Sequence, residues 1–145
     1  MPQSLVLDAS AAVKWFIKED EHPEMRELRD LFLEGRLEIH IPSLLYMEFS
    51  NALRYIHGLT SIDVVRALNA LKDLQLKTIS DLDLLQEAVE IAFDKDITVY
   101  DALYIALARA VSSKLITYDT KLLNRFSDNA VKASQILKEL RGDSL

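Results

Sequence analysis

Four acidic residues, Asp8, Glu48, Asp101 and Asp119, occupy places where a carboxylate can do chemistry. Asp8 closes the apolar run SLVL and Asp119 follows LITY, so each falls between an expected strand and an expected helix. Glu48 lies inside a helical stretch, PSLLYMEFSNAL. At about 100° per residue, Leu44, Leu45, Ala52 and Tyr55 flank it while Ser50 and Arg54 lie opposite, which turns it toward the apolar side. A carboxylate there is costly unless it pairs with an Arg or Lys from elsewhere or joins a metal site. Asp101 stands in the first turn of VYDALYIALARAV, at capping-box spacing from Thr98. Asp8 and Asp119 are also good N-cap candidates, so each Asp taken alone has a structural explanation.

Together the four carry more weight. Two strand ends, a helix start and an inward helix position can converge on one edge of a parallel sheet. Carboxylates gathered there repel one another and hold their protons more tightly unless a cation neutralises them. An oxygen-only donor set suits Mg²⁺ or Mn²⁺, which use few protein ligands and keep several waters. Such ions activate water and offset charge on phosphorus during in-line displacement, so phosphoester hydrolysis is the expected chemistry. Ser10 and Thr117 are placed to hydrogen-bond these acids from behind, and Ser10 is equally a cap candidate. Asn51, three residues beyond Glu48, is near the same helix face and suited to orienting a ligand or a water.

The elements that must position these side chains alternate. Residues 4–7 read as a strand and 11–17 as a helix capped by Asp8 or Ser10. A second helix starts at His22-Pro23 and stops at Gly35; a second strand spans 38–41. Ser43 is expected to cap a helix to about His57, and Thr60 the next, with Ile62, Val65, Leu68 and Leu71 as its inner stripe. Residues 77–79 form a weak strand and 82–93 a helix. The helix after Thr98 is apolar on most sides and therefore expected in the middle of the domain. Strands at 115–117 and 130–132, a short helix from Asp119 to Phe126 and a closing helix over 133–140 complete an α/β pattern with a mostly parallel sheet. Sites in such sheets form beyond the carboxyl ends of the strands, where Asp8 and Asp119 fall.

Bulk properties narrow the classes. The chain has 145 residues, half of them apolar, with three glycines and three prolines, and is read as a single domain over 1–145. Neither a signal-peptide pattern nor an apolar run of membrane-spanning length is present, so a cytoplasmic protein without membrane contact is expected. The absence of cysteine removes disulfides and thiolate metal sites. A net charge of −6 argues against a protein held on nucleic acid mainly by its own basic surface. A phosphodiester substrate stays compatible, because a bound cation inverts the field around an acidic cluster.

Four segments in this order and spacing, LVLDASAAVKW, PSLLYMEFSNAL, VYDALYIALA and LITYDTKL, resemble the PIN-domain family and, within it, the VapC-like toxins of prokaryotic toxin–antitoxin pairs. The resemblance covers nearly the whole chain. It implies a three-layer fold with a central five-stranded parallel sheet flanked by helices, and Mg²⁺ or Mn²⁺ at the acidic cluster. It implies endonucleolytic cleavage of RNA that leaves a 5′-phosphate. It also implies a homodimer and inhibition by a small VapB-like antitoxin whose C-terminal segment enters the active-site groove. Carried over by residue, Asp8, Glu48, Asp101 and Asp119 are the catalytic carboxylates, the three aspartates being metal ligands. Ser10, Asn51 and Thr117 match the polar residues that accompany them. Lys121 and Lys14 are candidate RNA contacts, although both also read as ordinary solvated lysines, as does Lys18, four residues beyond Lys14.

The other candidates read as structural. His22, His40 and His57 form no metal-ligand pair, Glu19, Asp20 and Glu21 look like a solvated charge run, and Tyr46, Tyr100 and Tyr104 are either base-stacking or core and interface aromatics. Three rival readings remain: a PIN nuclease that is not a toxin, a non-catalytic PIN-like binding module, and a Mg²⁺-dependent phosphoacceptor signalling domain. The last needs an acidic pair after the first strand and an acceptor Asp after the third, whereas the first strand here ends in Asp8 alone.

Overall fold

The computed structural model describes residues 2–142. Its frame is a five-stranded, wholly parallel sheet of β1 (Gln3–Leu7), β2 (Leu37–Pro42), β3 (Lys77–Ile79), β4 (Lys114–Ile116) and β5 (Ala130–Val131), in the order β3-β2-β1-β4-β5. Leu5, Val6 and Leu7 of the central strand are consecutive and all fully buried. Because successive side chains point to opposite faces, both faces of the sheet are covered, the three-layer arrangement. The chain steps outward from β1 through β2 to β3, then returns to the other side of β1 for β4 and β5. The topological switch therefore lies between β1 and β4, and ligand crevices form at such points.

Among the described residues eight α-helices accompany these strands, seven between them and one after β5: α1 (Ala9–Ala12), α2 (His22–Leu33), α3 (Leu44–Arg54), α4 (Ser61–Asp73), α5 (Asp81–Lys95), α6 (Val99–Ala110), α7 (Thr120–Arg125) and α8 (Ala133–Leu140). Helix α6 is the buried one, with every residue from Ala102 to Ala108 inside, packed on β1, β2 and β4. No helix among the described residues is long and apolar enough to cross a membrane.

Several local expectations change. The first helix is α-helical only over Ala9–Ala12 and tightens into a 3₁₀ turn over Val13–Trp15, so Lys14 and Lys18 do not share one helical face. Ser43 does not cap α3: its backbone is helical and its side chain makes no N-cap bond to that helix. Instead its hydroxyl accepts from Asp81 N (3.1 Å), while the Asp81 carboxylate accepts from Leu44 N (2.9 Å). The starts of α3 and α5 thus cap each other across the fold. Thr60 does cap α4, with Asp63 closing the box. The inner stripe of α4 runs through Val64, Ala67, Leu71 and Leu74, whereas Ile62 and Val65 are exposed.

Candidate active site

Asp8 follows β1 directly and caps α1. Its Oδ1 accepts from Ala11 N (3.1 Å) and from the Ser10 hydroxyl (2.6 Å), and its Oδ2 accepts from the Thr117 hydroxyl. The same two hydroxyls then serve the neighbouring strand end. Ser10 Oγ accepts from Tyr118 N (2.9 Å) and Thr117 Oγ1 from Asp119 N (3.1 Å). Ser10 and Thr117 therefore lock the β1 and β4 ends together and fix Asp8 relative to Asp119, as their spacing suggested. Asp119 is the N-cap of α7 through Leu122 N (3.1 Å). The cap takes one carboxylate oxygen, Oδ1, and leaves Oδ2 without a helix N–H.

Glu48 and Asp101 close the pocket from the helical side. Asp8, Ala9, Ser10, Glu48, Asn51, Ala52, Asp101, Tyr104 and Asp119 line one cavity of about 270 Å³ at the switch point. Thr98 caps α6, its Oγ1 accepting from Asp101 N (3.0 Å), and Asp101 lines the cavity. Glu48 is half-buried rather than turned into the core, since Ala52 and Tyr55 beside it are exposed. Its Oε1 accepts from the Tyr104 hydroxyl at 2.6 Å. The Arg or Lys partner that the ordinary reading required is absent: none of the ion pairs among the described residues involves any of the four acids. Asn51 lines the cavity as well.

The electrostatics follow from burial without an ion-pair partner. The Asp8 carboxyl is pushed up to about 6, by burial first, against the Ser10, Thr117 and Ala11 donors, with Asp119 adding repulsion. Burial also raises Glu48, and the charges of Asp101 and Asp81 add to it while the Tyr104 hydroxyl opposes. Asp101 is raised by burial and by Asp119, with the Thr98 hydroxyl and then the Lys121 ammonium pulling the other way. Lys121 is thus near the site and exposed. Lys14 is not the solvated lysine or RNA contact its position suggested. It is buried, its Nζ 4.4 Å from the Tyr118 ring centre, a cation–π seat.

The charge run resolves differently too. Glu19 and Asp20 are exposed, but Glu21 accepts from the Tyr118 hydroxyl (2.8 Å), Ser134 N (3.0 Å) and Ser134 Oγ (2.9 Å). It thereby ties the residue preceding Asp119 to the start of α8. Tyr46 reaches Thr78 through its hydroxyl (3.3 Å), Tyr100 is exposed beside Asp101, and His22 donates from Nδ1 to Lys14 O (2.6 Å). Sequence reasoning missed Tyr104 as the partner of Glu48. A usable signal existed, since Tyr104 is three residues beyond Asp101 and shares its helix face. Asp81 does follow the third strand, but β3 is at the sheet edge and one Asp81 oxygen is spent on Leu44 N, an arrangement unlike a phosphoacceptor centre.

An α/β domain with unpaired carboxylates converging at the switch point of a parallel sheet is the class these features define. The chain belongs to the PIN domain family, whose pattern matches residues 5–129. Among its relatives is a protein named ribonuclease VapC3 from Pyrobaculum aerophilum, 33% identical over 129 residues, covering 84% of this chain and 94% of the relative. Another, ribonuclease VapC9 from Mycobacterium tuberculosis, is 31% identical over 121 residues, covering 81% and 87%. The fold is shared with PAE2754 of P. aerophilum, with a TM-score of 0.70, 24% identity and 98% of each chain covered. It is shared also with M. tuberculosis VapC20, a toxin described as cleaving the sarcin–ricin loop, at a TM-score of 0.67 and 13% identity over 88% of this chain and 97% of the other.

Proposed function

We propose that this protein is a metal-dependent endoribonuclease acting as the toxin of a VapBC-type toxin–antitoxin pair. The observation that carries the reading is the convergence of Asp8, Glu48, Asp101 and Asp119 on one cavity, none of them in an ion pair among the described residues, in a chain a third identical to a named VapC ribonuclease. The donor set fits Mg²⁺ or Mn²⁺: it is all oxygen, and burial raises Asp8, Glu48 and Asp101, whose anions a bound cation would stabilise. No three His, Cys, Asp or Glu side chains among the described residues form a ready-made cage. Asp8, Asp101 and Asp119 would hold a cation directly or through water, the mode Mg²⁺ favours. When bound, the cation supplies neutralisation of phosphate charge and a more acidic water.

The protein's own residues supply the rest. Ser10 and Thr117 keep Asp8 and Asp119 at fixed separation, the Asp101 carboxylate stands across the cavity from the strand ends, and Glu48 offers a carboxylate oxygen to orient or deprotonate the attacking water. Lys121 lies at the edge, where an RNA phosphate would meet it. Two partners complete the proposal. Solved neighbours include a toxin–antitoxin complex from Klebsiella pneumoniae, and a VapB-like antitoxin is the partner proposed here. A homodimer is proposed on the apolar stripe of α5, where Leu82 (79% exposed), Leu85, Val89 and Phe93 (86% exposed) share one face.

Purified protein is expected to cleave single-stranded RNA only with Mn²⁺ or Mg²⁺, and Asp8→Asn, Asp101→Asn and Asp119→Asn each to abolish cleavage while the fold is retained by circular dichroism. Cleavage in chelator, or surviving all three changes in nuclease-free preparations, overturns the reading. Expression in the native host is expected to arrest growth, relieved by co-expressing the antitoxin.

A further inference from the structure

The four carboxylates differ in what holds them still. Asp8 and Asp119 each give one oxygen to a backbone N–H of the helix they cap, Ala11 N and Leu122 N. Glu48 has no such donor. It projects from the interior of α3, where the N–H groups are committed to the helix itself, and it has one more side-chain torsion than an aspartate. The hydrogen bond recorded for its carboxylate comes from Tyr104, whose oxygen is 2.6 Å from Oε1.

Tyr104 is well suited to hold a neighbour in place. It is 1% exposed, so its ring has no alternative position, and it stands on α6 three residues beyond Asp101, on the same helix face. We infer that Tyr104 is a positioning residue: its hydroxyl fixes Glu48 Oε1, leaves Oε2 to the cavity, and sets Glu48 in register with Asp101 through one rigid helix. Helix α3 is pinned a turn earlier as well, where Asp81 takes Leu44 N at 2.9 Å. The phenol stays protonated at every working pH, since burial and the Glu48 charge raise it far above its ordinary value, so it is a permanent donor.

The inference rests on the ribonuclease reading, and its test separates the two. Tyr104→Phe keeps the ring and removes only the hydroxyl. Under single-turnover conditions with saturating Mn²⁺, cleavage is expected to slow about 10- to 100-fold, the range that loss of a hydrogen bond to a charged group supports, with half-saturating RNA and thermal midpoint little changed. In a Glu48→Gln background the same change is expected to have no further effect on the residual rate. Wild-type rates in Tyr104→Phe, or equal losses in both backgrounds, overturn the inference while leaving the ribonuclease reading intact. If the wild-type protein cleaves no RNA, that reading fails by itself, and the near-ultraviolet tyrosine spectrum decides the pairing. Glu48→Gln is expected to shift that spectrum when Tyr104 is present and not in Tyr104→Phe; no difference between the two overturns it.

Discussion

Asp8 is 6% exposed, and burial pushes its carboxyl up to about 6 despite three donors that favour the anion. An unfolded aspartate releases its proton near 3.8. Between those values the folded chain binds more protons than the unfolded one, so this group's contribution falls as pH rises through the window and is a constant penalty above it. The difference corresponds to at most about 3 kcal/mol. In chelator, Asp8→Asn is therefore expected to raise stability at pH 8 by about 1–3 kcal/mol, measured by urea unfolding, with the gain shrinking as pH approaches 4. Added Mn²⁺ is expected to reverse the ranking, because a cation bound by the native state stabilises only the protein that holds it. An Asp8→Asn protein less stable than wild type at pH 8 in chelator would show that the buried anion is already compensated. Ser10 and Thr117 lessen this penalty without removing it.

At the scale of elements, the mutual cap between α3 and α5 has no local signature, since Ser43 and Asp81 are 38 residues apart along the chain. Ser43 in front of an apolar helical run has the look of an ordinary N-cap, and only the pairing of β2 with β3 brings Asp81 to Leu44. Asp81→Ala is expected to cost about 1 kcal/mol in urea unfolding, as removal of a cap does, whereas Asp81→Asn, which keeps an acceptor, is expected to cost less than half of that. Equal costs would mean that the charge, not the cap, matters. What was legible in the sequence follows the same division. Strands, most helix limits and the order of acids come from short-range pattern. The α4 stripe could not be phased, because Ile62-Val65-Leu68-Leu71 and Val64-Ala67-Leu71-Leu74 are both helical repeats and only packing on α3 selects the second. Lys14 and Glu21 were read as solvated because their partners, Tyr118 and Ser134, lie about a hundred residues away. Convergence of the acids was inferable from strand–helix alternation, but the Tyr104 bond to Glu48 depends on how α6 lies against α3.

At the scale of the whole molecule, the face that remains unexplained by the monomer is the outer side of α5. Val89 and Phe93 fall about 20° to either side of Leu82 around the helix, and Leu85 lies about 60° from it. Leu82 and Phe93 are almost wholly exposed, Leu85 and Val89 are partly so, and Met47 of α3 is exposed as well. Large side chains grouped in this way mark an association surface far more often than isolated ones do. A twofold pairing of α5 with its own copy would bury the stripe against itself, since an isologous contact uses the same patch on both subunits. The proposed dimer therefore makes a direct prediction. Val89→Glu with Phe93→Glu is expected to shift the protein from dimer to monomer in sedimentation velocity at micromolar concentration, through like charges placed across the axis. Stability of the single chain is expected to change little, because Phe93 contributes little to its own core. Removing exposed Ile62 and Val65 of α4 by the same substitution is expected to leave the dimer intact. Loss of the dimer through α4 rather than α5 would move the interface to the other apolar surface, and a monomeric wild type would remove it.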